Sequence, residues 1–122
     1  MDPTSLHVAE TIGVTPMTWR TEYDLQLEIE RALTAAGIPA TREVHLGEGI
    51  GRIDLMAGRV GIEVKVGSTS TWADVTRQLG RYAWSDDIDE LVLVTTTAKH
   101  RQVPGKVAGV PVRRVFLLEA GL

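Results

Sequence analysis

Gly51-Arg52-Ile53-Asp54-Leu55-Met56-Ala57-Gly58-Arg59-Val60-Gly61-Ile62-Glu63-Val64-Lys65-Val66 is the stretch on which the fold turns. It reads as two short apolar strands joined by a tight turn at Ala57-Gly58-Arg59, with Asp54, Glu63 and Lys65 set into them. Side chains alternate along a strand, so Glu63 and Lys65 share one face while Ile62, Val64 and Val66 take the other, with like-facing neighbours roughly 7 Å apart. Asp54 stands between Ile53 and Leu55 on the first strand. Closing the hairpin brings one carboxylate from each strand and one ammonium to a single patch. Such a patch can hold a divalent metal.

On the N-terminal side, residues 40 to 46 read as an edge strand. Gly47-Glu48-Gly49-Ile50-Gly51 is then a hairpin loop, because this glycine series precedes a strand and opens no helix, as a dinucleotide loop would. Residues 18 to 36 have helical periodicity: Leu25, Ile29, Ala32, Leu33 and Ala36 fall on one face, and Gly37 stops the helix. At 100° per residue Glu22 lies near the middle of that apolar stripe, whereas Glu28 and Glu30 sit roughly 90° or more to either side. Glu22 alone points where a site facing the core would be. Residues 1 to 17 show no sustained periodicity and contain Pro3 and Pro16, so they are expected to form a helix-free arm, ordered against a partner.

On the C-terminal side a second helix is expected over residues 72 to 84, capped by Thr71 or Ser70, with Asp74 in its first turn. Trp72, Val75, Thr76, Leu79 and Ala83 form its buried stripe, Gln78 and Tyr82 flank it, and Arg77 with Arg81 face away. Residues 86 to 90 form a solvated acidic turn without the spacing of a calcium loop. Residues 91 to 97 are a continuous apolar and β-branched run, expected as a strand covered on both faces. Lys99, His100, Arg101 and Lys106 decorate a loop at Pro104-Gly105, and residues 110 to 118 make a last strand containing Arg113-Arg114. The order is helix, three-strand meander, helix, strand, strand. It predicts an α/β fold, a single domain over residues 18 to 122, with a mixed central sheet and a parallel, right-handed crossover after the Lys65 strand.

Composition sets limits on function. At 122 residues the chain fits one domain and can bury a core without staples. It has no cysteine, which removes disulfides, zinc thiolate sites and cysteine nucleophiles. No apolar run approaches the ~20 residues of a spanning helix and the N-terminus lacks the features of a signal peptide, so a cytoplasmic protein is expected. The net charge of −3 is unevenly spread: residues 1 to 48 carry three basic against eight acidic side chains, and residues 49 to 122 carry ten against eight. Nucleic-acid partners need Lys and Arg for phosphate contacts, and the C-terminal part supplies them.

These residues resemble the PD-(D/E)XK (restriction-endonuclease-like) nuclease superfamily over roughly residues 21 to 97. Glu22 on the first helix, Asp54 on the second strand and Glu63-Val64-Lys65 on the third match its motif, and Gln78 with Tyr82 match the Gln-x-x-x-Tyr found in several branches. Ile53 stands where the superfamily name has proline. Small virus-type replication-repair nucleases and Holliday junction resolvases are nearest in size and layout. The resemblance implies a metal-dependent DNA endonuclease, structure-selective towards junctions or flaps, acting as a homodimer and leaving a 5′-phosphate. It implies Mg²⁺ or Mn²⁺ held by Asp54, Glu63, the Val64 carbonyl and Glu22, directly or through water, with Lys65 beside the attacking water. Gln78, Tyr82, Arg52, Arg77, Arg81, Lys99 and Arg101 would position DNA.

Other accounts of the same residues stay open at this level. Glu63 and Lys65 can be an ion pair on a solvated sheet face, worth about 0 to 1 kcal/mol. Asp54 can be a surface acid, Glu22 a partner of its helix dipole, and Gln78 with Tyr82 a packing pair. The alternatives to an enzyme are a non-catalytic DNA-binding or assembly module with this fold, and a plain structural domain.

Overall fold

The computed structural model describes residues 2–67 and 69–117. Its elements run α1 (Ser5–Val14), α2 (Glu22–Ala35), β1 (Thr41–His45), β2 (Arg52–Ala57), β3 (Val60–Lys65), α3 (Trp72–Tyr82), β4 (Glu90–Thr95), a 3-10 helix (Ala98–Gln102), β5 (Lys106–Val107) and β6 (Val110–Phe116). The six strands form one sheet in the order β1-β2-β3-β4-β6-β5. β1, β2 and β3 form an antiparallel meander. β3–β4 and β4–β6 are parallel, so the sheet is mixed and the crossover through α3 joins adjacent parallel strands. Two apolar clusters cover its two faces. One packs α1 and α2 onto Leu55, Ile62, Val92 and Val94; the other packs α3 onto Ile53, Leu91, Leu93 and Val112. Alternate residues of β4 go to opposite clusters, as the apolar run at residues 91 to 94 predicts.

The helix ends are set by local chemistry. Thr21 Oγ1 accepts from Asp24 N and Asp24 Oδ2 accepts from Thr21 N, each at 3.1 Å, a reciprocal box that starts α2 at Glu22 rather than at residue 18. Gly37, at φ +79, lets the chain leave it. Thr71 Oγ1 accepts from Asp74 N at 3.0 Å and caps α3. That helix ends at Tyr82, two residues short of the expected end, and its buried residues are Val75, Leu79 and Tyr82. Trp72, expected in the buried stripe, is exposed, and Tyr82, expected on the flank, is buried. Leu118, the expected end of the last strand, lies outside the described residues.

The segment expected as a helix-free arm is corrected: residues 5 to 14 are helical. Pro3 precedes the cap Thr4, whose Oγ1 accepts from His7 N at 3.1 Å, and Pro16 follows the C-cap Thr15, so the prolines bracket the helix and do not interrupt it. Ser5, Val8 and Ile12 bury one narrow face against β6, β4 and α2. Ser5 N donates to Glu90 Oε1 at 2.9 Å and Arg113 Nε donates to Ser5 Oγ at 3.0 Å, so the helix is held by its own chain. Pro3 lies over the β2–β3 turn, where a Cβ on Gly58 would come within 2.8 Å of Pro3 Cδ.

Candidate metal and phosphate site

The central hairpin is not regular where its charges sit. Leu55 and Ala57 of β2 pack under α2 and Met56 under α3, as alternation requires, but Ile53 packs under α3 as well. β1 does the same: Arg42, paired with Leu55, reaches Glu30 of α2, whereas Val44, paired with Ile53, joins the α3 side. Both strands therefore roll over between these pairs, at Glu43 and Asp54, which the register sets opposite each other. Glu43 adopts a left-handed φ of +56 to do so. The rotated Ile53 side chain lies on Gly61, where a Cβ would come within 2.6 Å of Ile53 Cδ1, so any larger residue there would have to displace the Ile53 methyl.

The roll frees Asp54 for another partner. Among the described residues β2 pairs with β3 only from Ala57↔Val60 to Leu55↔Ile62, and beyond that Val64 N donates to Asp54 Oδ2 at 2.7 Å. A side chain has replaced the neighbouring strand as acceptor. In extended backbone a residue's N–H and C=O point to the same side, so the Val64 carbonyl opens toward Asp54 too. Glu63 is buried beside it, and Lys65 Nζ lies 3.2 Å from Glu63 Oε2. Glu63 Oε1 is buried with no hydrogen-bond donor. Glu22 reaches over from α2, its Oε1 accepting from Val66 N at 3.3 Å, close enough for its charge to act on Asp54.

Burial, then the repulsion of Glu22, pushes the Asp54 carboxyl up to about 6 against the pull of the Val64 N–H and Lys65. Burial, then the charge of Asp54, pushes Glu63 up to about 8, with Lys65 opposing. Two adjacent carboxylates thus share one ammonium and are short of positive charge. Tyr82 completes the wall: its hydroxyl donates to the Arg52 carbonyl at 3.0 Å and accepts from Gln78 Nε2 at 2.9 Å. Burial and the nearby Glu63 raise the Tyr82 hydroxyl, which stays protonated.

These donors fit a hard divalent cation. Asp54, Glu63 and the Val64 carbonyl offer oxygen only, and the buried, unpartnered Glu63 Oε1 is an acceptor that a proton or a cation would satisfy. Among the described residues no three His, Asp or Glu side chains gather closely enough to hold an ion by themselves, and Glu22 spends one oxygen on a backbone amide. The fit therefore rests on the two hairpin carboxylates and the backbone, with Glu22 at the margin.

The remaining predicted residues divide. Arg52, Gln78, Arg81 and Tyr82 line one groove of about 350 Å³ between the β1–β2 loop and α3. Arg77 is on the same helix but paired with Asp74 in solvent. Lys99 and Arg101 are exposed on the 3-10 helix beyond β4, where the Arg101 side chain bonds to the Ala98 carbonyl, and no contact brings either to the groove. His100, expected on a loop surface, is fully buried. Its Nδ1 bonds with Thr95 Oγ1 at 2.7 Å and its Nε2 with the Ser70 carbonyl at 2.8 Å, tying the end of β4 to the loop before α3. Two residues that the alternation rule missed bear on the site: Glu43, and His45, which lines the groove. A larger cavity, about 570 Å³ along Trp19, Leu27 and Arg31, lies on the outer side of α2.

No helix among the described residues is long and apolar enough to cross a membrane. Comparison with protein families, with curated proteins and with solved structures finds no match.

Proposed function

We propose that this protein is a metal-dependent phosphodiesterase that cuts DNA, built on a restriction-endonuclease-like core. One observation carries the proposal: Asp54 and Glu63 lie side by side with one ammonium, paired to Glu63, to serve both, and with one buried Glu63 oxygen without a donor. A purely structural ion pair has no need of the second carboxylate, and burying it uncompensated is costly. The order helix, meander, helix, parallel strand supports the core assignment.

Asp54, Glu63 and the Val64 carbonyl would hold Mg²⁺ or Mn²⁺, with Glu22 adding charge from α2. Bound there, the ion would neutralise charge on phosphate and lower the pKa of a coordinated water. Lys65 then serves two ends: it orients the attacking water and stabilises charge on the phosphoryl oxygens. Gln78 and the protonated Tyr82 hold the Arg52 backbone and so fix the edge of the groove on which DNA would lie. The −3 net charge leaves phosphate contacts to the few basic side chains near the groove.

The test is Mg²⁺-dependent cutting of linear, flapped and four-way DNA by wild type and by Lys65→Ala. Wild type should cleave at least one of them, and the variant should lose roughly 10²-fold or more, as for removal of one preorganised charge-stabilising donor. No cleavage of any substrate, with DNA binding retained, would replace the enzyme by a binding module.

A further inference from the structure

The groove beside the carboxylates has properties that metal binding does not explain. Of the thirteen Lys and Arg side chains, those of Arg31, Arg42, Arg59, Lys65 and Arg77 form ion pairs, and those of Arg101, Arg113 and Arg114 bond to other protein groups. Among the described residues the side chains of Arg20, Arg52, Arg81, Lys99 and Lys106 have no such partner, and of these five Arg52 and Arg81 line this groove. His45 stands across from Arg52 in the β1–β2 register and lines it as well. Gly47 N donates to His45 Nδ1 at 3.1 Å, so the neutral ring carries its proton on Nε2, a donor left for a ligand. Glu48 is the acid on the rim, one carboxylate against two guanidiniums.

Trp84 adds a second kind of contact. Its amide donates to the Arg81 carbonyl at 3.1 Å, so it follows Arg81 by one turn at the end of α3, and its side chain is 79% exposed. Trp84 stands outside the lining of the groove itself, and a large aromatic in water one turn from an unpaired guanidinium is an arrangement suited to a base and its phosphates.

We infer that the groove between the β1–β2 loop and α3 binds single-stranded nucleic acid, its phosphates on Arg52, Arg81 and His45 Nε2 and one base stacked on Trp84. An intact duplex keeps its bases stacked on one another and would engage such a site through phosphates alone. Two guanidiniums on an acidic protein make a poor phosphate track, so stacking has to supply the rest, and only an unpaired base can stack. The placement beside Asp54 and Glu63 rests on the nuclease proposal, which it narrows to substrates with an unpaired strand, such as flaps and overhangs. The groove itself does not depend on that chemistry.

Binding is measured by fluorescence anisotropy in EDTA, where no metal-dependent cutting occurs. The probes are a labelled oligothymidylate of about ten nucleotides and a blunt duplex of equal length. Wild type should prefer the single strand by roughly tenfold or more. Arg52→Ala with Arg81→Ala should lower single-strand affinity at least tenfold and flatten its log-log salt slope by about 1.4, two phosphates at about 0.7 each. Trp84→Ala should lose at least fivefold and Trp84→Phe should recover most of it. Arg31→Ala, the loss of a single charge on α2 away from the groove, should bind like wild type. All of these side chains are exposed, so folding is not at stake. Equal affinity for duplex, normal binding by the double arginine and Trp84 variants, or an equal loss in Arg31→Ala would overturn the inference. Selective single-strand binding without Mg²⁺-dependent cleavage would remove the nuclease proposal alone, whereas cleavage with unselective binding would remove this one alone.

Discussion

Glu63 decides the character of the site, because a carboxylate with one oxygen on Lys65 and the other buried without a donor is short of a cation. This has a pH consequence. Asp54 and Glu63 hold protons in the folded chain at pH values where an unfolded chain has released them, since burial raises both, to about 6 and about 8. Stability from these groups is fully present below about pH 4 and is lost as pH rises through those values, the reverse of a salt-bridged acid. Metal-free protein should therefore lose melting temperature between pH 5 and pH 9 (roughly one decade either side of the two groups), and Mg²⁺ should restore it most at the alkaline end, where no proton has to leave. Asp54→Asn keeps an acceptor for Val64 N but removes a repelling charge. Its metal-free melting temperature should equal or exceed that of wild type, and its rise on adding Mg²⁺ should vanish. A large loss of metal-free stability would instead identify Asp54 as the partner in a structural ion pair.

Two strands rolling over together at Glu43 and Asp54 is the feature that turns a hairpin into a site. Without it Asp54 would stay in ladder register with β3, and Val64 N would have a backbone acceptor in place of a carboxylate. The roll requires a left-handed residue in β1, and Glu43 takes that conformation at a cost that a glycine would not incur. Glu43→Gly should raise stability by about 1 kcal/mol, read as a shift of the urea midpoint at constant slope, with Mg²⁺ binding intact. Glu43→Val should lower stability and weaken Mg²⁺ binding together, because a β-branched residue pulls β1 back toward regular extension. Normal Mg²⁺ binding in Glu43→Val would show that the roll does not depend on this residue.

Across the whole molecule, α1 closes the face of the sheet opposite α3. Val8 and Ile12 are fully buried against the same cluster that seats α2 and, through it, Glu22. Ile12→Ala should cost about 2 to 5 kcal/mol in denaturant unfolding, as for other large-to-small changes in a packed core. A loss within about 0.5 kcal/mol, as at an ordinary surface position, would mean that residues 5 to 14 form a detachable arm after all.

The sequence by itself determined the element order from α2 to β4 and the last strand β6, though not the short 3-10 helix and β5 between them, which read as a loop. It also determined the hairpin and the identity of the charged residues, because hydrophobic period, glycines and caps are local signals. Glu22 could be chosen from four helical acids by angle alone, and it does reach Val66, just past the end of β3. The helix at residues 5 to 14 escaped because only Ser5, Val8 and Ile12 are buried, too few for a periodic pattern. Only the tertiary structure decided where the hairpin leaves regular alternation, that Tyr82 is buried in the wall of the site, and that Arg52, Arg81 and His45 share one groove. Each depends on residues far apart in the chain, and a strand pattern read two residues at a time presumes the alternation that Glu43 and Asp54 break.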